Sequence, residues 1–233
     1  MALGLALGAI LTGGCASINP PELDGASDDD QRRCVHDPRP AAIAACERIL
    51  ARPDVSRWPG AVSFASTAYW VRASVAWHLA RHLAADDRSE EALAAALRSI
   101  ELYERYDRER LKSNSTDYRS TTAARTALFN TYLARAEYAA GLQLVRLRRW
   151  PEAVPHLQRV VQLDGRHAVA WATLAVAANQ SEDYATATRA FQRTLEIEPD
   201  YFTEPRSIQR QIFEASRDGR RLELGGLRPA NQP

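Results

Sequence analysis

The sequence predicts an all-α fold, a short solenoid of antiparallel helix pairs closed by a C-terminal capping helix. Three observations lead there. From Pro40 onward, apolar residues recur three and four apart between polar breaks, as in helices with one buried face. No convincing stretch alternates apolar and polar residues as a half-buried strand does. A set of apolar positions also repeats at an interval of 34 residues. Trp171, Leu174, Ala175, Ala187 and Phe191 form one set, and Gly141, Ala153 and Leu157 stand one interval earlier. Such a period marks stacked units of two helices, none of which can bury its apolar face alone.

The elements follow in chain order. Residues 2–12 are apolar and end in Gly13-Gly14-Cys15, too short a run to span a membrane as a helix and suited to a secretory signal. Thr12-Gly13-Gly14-Cys15 resembles a bacterial lipobox, with Thr12 where leucine is usual and no Lys or Arg ahead of the apolar run. The resemblance implies a signal over residues 1–14, lipidation of Cys15 and a membrane-anchored mature protein; the alternative is an ordinary signal cleaved nearby. Ala16 and Ser17 follow, and by resemblance to enterobacterial lipoproteins that favours the outer membrane, on the periplasmic side of a bacterial envelope. With Cys15 carrying lipid, Cys34 and Cys46 remain. An oxidising compartment lets them pair, closing a loop of eleven residues for about 3 kcal/mol on a chain-entropy basis. The alternative is two buried thiols. Residues 15–33 contain two prolines, a glycine and an acidic run, and are expected to be a solvated linker.

The repeat domain is expected over residues 34–219. A short helix is predicted over 40–52, between Asp37-Pro38 and Pro53, with its preceding partner reduced to a turn. Longer helices follow over 61–85 and from Ser89-Glu90 to about residue 106. Residues 107–118 are polar and read as an exposed connection. Helical pattern resumes over 120–148, and Trp150-Pro151 opens the next helix, since proline is tolerated in a first turn. Helices over 167–180 and 183–197 end at Pro199. A capping helix is expected over 203–219, and residues 220–233 as a loose tail.

Taken together, the spacing resembles that of tetratricopeptide repeats. The best unit, 168–201, departs from the pattern at Ala178 and Thr194; the unit before it has Gly165 in the proline place; a third, 73–106, keeps Leu79, Ala80, Ala92 and Ala96 with Trp77 one place out of register. Small exported repeat proteins of this kind often carry a cysteine in a helix like Ala44-Ala45-Cys46-Glu47-Arg48. The first helix of each pair lines the concave groove in that family. Carried over by position, this implies a protein-binding groove made by Trp77, Arg81, Arg135, Tyr138, Leu142, Arg146, Val176 and Asn179. Arginines beside aromatic rings suit a peptide ligand, because guanidinium pairs with carboxylate and rings supply contact area. The competing reading places Trp77 and Tyr138 in the core and the arginines on a solvated face. Val169, Ala172 and Val176 would make the last part of the groove apolar.

Other chemistry is less favoured. His78, His82 and Asp86 are spaced four apart and could face one metal, but the segment lacks the glutamate of the zinc-protease motif and any helix face produces that spacing. No phosphate loop, serine nucleophile elbow or paired-carboxylate motif is present, so neither an enzyme nor a cofactor is expected. A formal net charge of +1 argues against a general grip on nucleic acid. The expected role is a scaffold or adaptor for a protein or peptide, with an accessory subunit of an envelope or secretion complex as the alternative.

Overall fold

The computed structural model describes residues 28–52, 65–112, 123–201 and 208–222. Every regular element among them is an α-helix: α1 (Asp28–His36), α2 (Ala41–Ala51), α3 (Ala65–Ala85), α4 (Ser89–Lys112), α5 (Ala123–Arg146), α6 (Trp150–Leu163), α7 (Ala168–Gln180), α8 (Tyr184–Ile197) and α9 (Ile208–Arg217). The expected signal, Cys15, linker residues 15–27 and residues 223–233 of the tail lie outside the described residues.

Three expectations change. The linker was expected to reach residue 33, but α1 begins at Asp28, and α2 has a full helical partner where a turn was expected. Asp29 pairs with Arg32 and Arg33 along α1, and Asp30 reaches Arg48 (2.6 Å) and Arg52 (3.2 Å), so the acidic run docks on α2. Second, α4 continues through Lys112, beyond the end expected near residue 106. In the part of α4 before this extension, Trp70 meets Tyr103 and Tyr106, and it also meets Tyr132 of α5, at 4.9–5.3 Å between centroids. Third, Arg220 and Leu222 are tied down at the end of α7, as described below.

Each helix packs against the next, so neighbours form pairs. The odd-numbered helices also touch one another in succession, α1 on α3, α3 on α5, α5 on α7 and α7 on α9. They therefore form one layer, and the even helices α2, α4, α6 and α8 lie outside it. Small residues permit this closeness: Ala73, Ala76, Ala136, Ala140, Ala153, Ala170, Ala175 and Ala187 are fully buried. Tyr69, Leu133, Leu157, Leu174 and Phe191 fill the space between them, each side chain stabilising by about 1.5–3 kcal/mol through burial.

The turns repeat as well. After α3, α5 and α7, the residues Asp87, Arg148 and Glu182 take the left-handed conformation (φ 56°, 59° and 66°). In each case the next amide closes back onto the helix: Arg88 N–H on Leu83 O, Arg149 N–H on Leu144 O, Asp183 N–H on Ala178 O. Asp164 and Glu198 end α6 and α8, 34 residues apart, with almost the same backbone angles (φ −135° and −137°, ψ 85° and 86°).

Gly141 of α5 lies tightly against Leu157 of α6. A Cβ there would lie 2.8 Å from Leu157 Cγ and 2.9 Å from its Cδ2. Leu157 is fully buried and has little room to yield. Alanine would gain up to about 1 kcal/mol in helix propensity but overpack the site by about 1–3 kcal/mol. Gly141→Ala is expected to lower thermal stability by a few degrees. A melting point equal to or above wild type would show that Leu157 moves aside freely.

Candidate functional site

The groove residues inferred from the sequence fall into two sets. Trp77, Arg81, Arg135, Tyr138, Leu142 and Arg146 line one cavity of about 600 Å³ between α3 and α5. Val176 does not reach it and packs half-buried against the core. Asn179 is a correction. It is fully buried at the end of α7 and donates to Ser216 Oγ (2.9 Å) and Arg220 O (3.1 Å), while its Oδ1 accepts from Leu222 N–H (3.2 Å). Gln180 adds a bond to Leu222 O (2.9 Å), so this polar pair seats the chain after α9. Position within a helix pair does not reveal that a capping segment will cover it.

The cavity owes its chemistry to helical spacing. Trp77 and Arg81 are four apart on α3, and Arg135, Tyr138, Leu142 and Arg146 follow one face of α5. The Arg81 guanidinium lies 4.9 Å from the Trp77 ring centre, and that of Arg135 lies 5.8 Å from the same ring and 5.2 Å from Tyr132. Two cations thus flank one indole, an arrangement that holds both guanidiniums in place. Arg146 donates to Ala84 O (3.0 Å) across the cavity mouth. None of the three pairs with a carboxylate among the described residues. The competing core reading holds for one aspect only, since Trp77 and Tyr138 are half-buried while also forming cavity wall.

Sequence reasoning missed four contributors. Tyr132 supports Arg135 from outside the cavity. His167 lines it, stacks obliquely on Tyr138 (5.1 Å, 36°) and caps α7 by accepting Ala170 N–H at Nδ1. Asp164 adds the only carboxylate among the cavity's described lining residues, and it accepts Arg166 N–H. Gln143 also lines the cavity, is 2 % exposed, and its Oε1 has no hydrogen-bond donor. His167 was visible only as a scattered histidine, and nothing in the spacing distinguished Gln143 from a solvated polar residue.

The histidines proposed for a metal do not converge. His82 Nε2 lies 2.9 Å from Cys34 O, Asp86 pairs with Arg39 (2.8 Å), and the His78 ring packs edge-on against Trp77 (4.8 Å). No group of three His, Cys, Asp or Glu residues among the described ones could hold a metal ion. Burial pushes His78 down to about 4, and Arg81, His82 and His36 add like charge. An unfolded histidine binds a proton near pH 6.5, so the unfolded chain gains protons first as pH falls. His78 is therefore expected to lower stability progressively from about pH 6.5 to 4. Urea melts at pH 7.5, 5.5 and 4.5 test this: His78→Gln should lose less stability than wild type, and parallel losses would remove His78 as the cause.

Cys34 and Cys46 lie at disulfide-bonding distance with Cα atoms 4.8 Å apart, joining α1 to α2, and both are fully buried. No described helix is long and apolar enough to cross a membrane. No protein-family model matches this chain, and no curated protein does.

A second cavity of about 600 Å³ lies among α6, α7 and α8. Trp171 forms part of its wall, held by its indole N–H on Gly165 O (3.0 Å). Arg193 on its rim pairs with Glu196 (2.6 Å).

Proposed function

We propose that this protein is a membrane-anchored scaffold of the bacterial periplasm, built as a short tetratricopeptide-like solenoid, that binds a protein or peptide in the groove between α3 and α5 without catalysis. One observation carries the reading. Six residues picked by repeat position converge on a single cavity that offers aromatic faces and cations together. A surface of that kind suits extended or helical segments of another chain, since rings contribute area and arginines orient. The 34-residue recurrence of turns and the layer of odd-numbered helices support the solenoid.

Selection of displayed peptides on the purified protein tests the groove. A Trp77→Ala, Arg81→Ala, Tyr138→Ala variant is expected to bind the enriched peptides at least about tenfold more weakly, since buried aromatic and arginine contacts commonly dominate such interfaces. Unchanged affinity, with the variant's helical content intact, would remove this groove from the function. Palmitate labelling of wild type and Cys15→Ala tests the anchor; no label on wild type would count against it.

The second cavity favours one further reading, an accessory subunit of an envelope complex that makes contacts through its outer helices. Photo-crosslinkers at Gln192 and at Leu142 separate the two. Capture only from Gln192 would favour the subunit.

A further inference from the structure

We propose that the occupant of the α3–α5 groove is an acidic peptide segment, whose carboxylates are held by Arg81, Arg135 and Arg146. The proposal rests on the groove reading above and specifies its ligand. Charge complementarity is the first argument. Three guanidiniums from facing helices meet around one cavity with no carboxylate partner among the described residues, while Arg88, Arg149 and Arg193 elsewhere each have a glutamate within 2.7 Å. Asp164 is the sole carboxylate among the described lining residues. Bringing three like charges together raises the energy of the empty groove, and an anion relieves it.

Geometry is the second argument. Arg81 and Arg135 lie over the Trp77 ring, which restrains their planes and leaves their N–H edges for bidentate contact with carboxylate oxygens. The third argument is the wall beside the cations, which is largely aromatic and aliphatic and gives a peptide surface to cover that a bare anion cannot use. The Trp77 and Tyr138 rings add surface for an apolar neighbour of the acidic residue.

The test uses fluorescein-labelled hexapeptides built from Leu, Phe and Ala with two Glu, and the same set with Gln for Glu, measured by anisotropy on the purified protein. The acidic set is expected to bind at least about tenfold more tightly at low salt, with the gap narrowing as salt rises. An Arg81→Gln, Arg135→Gln variant should shrink that gap to about threefold or less. Both residues are exposed, so melting curves should match wild type. Equal binding of the two sets by wild type would overturn the acidic preference and leave the groove reading standing. Binding of neither set would overturn both. Displacement of the acidic set by equimolar inorganic phosphate, or by vesicles of anionic phospholipid, would also overturn the proposal, because the groove would then read charge without peptide.

Discussion

An Arg72→Met variant is expected to lose about 3 kcal/mol of stability, roughly 6–12 °C in melting temperature for a chain of this size. Arg72 projects from α3 and is 6 % exposed. Its Nη1 donates to Arg52 O (3.1 Å) and its Nη2 to Leu50 O (3.0 Å), the carbonyls at the C-terminal end of α2. Those carbonyls have no partner within their own helix and carry the negative end of its dipole. Arg98 from α4 adds a bond to Leu50 O (2.9 Å). Two arginines from the next helix pair therefore close the end of α2. Methionine keeps the stem and approximate volume but donates nothing, so Arg52 O loses this donor in a buried setting. Because each described helix pair contacts only the adjacent pairs, the loss should be local. Hydrogen exchange should accelerate in α1 and α2 and stay near wild type in α7 and α8. Uniform acceleration throughout the chain would show that the fold opens as one unit.

Removing the Cys34–Cys46 bridge is expected to cost about 2–4 kcal/mol, whether by reduction or by Cys34→Ser with Cys46→Ser. Twelve positions separate the two residues, and the bridge joins the first two described helices. His82 from α3 reaches Cys34 O (2.9 Å), so the same residue also links the terminal pair to its neighbour. The ion pairs that join α1 to α2 run from Asp30 to the exposed Arg48 and to Arg52, and such pairs contribute little. Without the bridge, α1 should fray before the rest. Limited proteolysis under reducing conditions should cut first within residues 28–40. Cleavage elsewhere first, with α1 protected, would contradict this role.

Part of this arrangement is legible in the residues themselves. The 34-residue recurrence of Gly141 and Ala175, Ala153 and Ala187, and Leu157 and Phe191 marks the α5–α8 helices to within a few positions, because small residues must stand where helix axes approach. The same register picks out Trp77, Arg81, Arg135, Tyr138, Leu142 and Arg146, since four-residue spacing puts them on faces that turn the same way. Helix α1 is hidden in sequence because an acidic run with mean polar character looks like solvated linker until Arg48 and Arg52 are there to receive it. The far end of α4 is hidden because residues 107–112 are almost all polar or charged and carry the composition of an exposed connection.

What the sequence determined by itself is periodic: the helices from α2 onward, their order, and the pairing of those after α2. These depend on residues within one or two turns of each other. The tertiary structure decided what depends on meeting. It buried Asn179 beneath Arg220 and Leu222 and took it out of the groove. It set His82 on the Cys34 carbonyl and Asp86 on Arg39, dispersing an apparent metal site. It also brought Arg81 and Arg135, from different helices, onto the one Trp77 ring, and left Gln143 Oε1 buried without a donor. Exposure, pairing and vacancy of a polar group are properties of its neighbours in space, and those neighbours come from other helices.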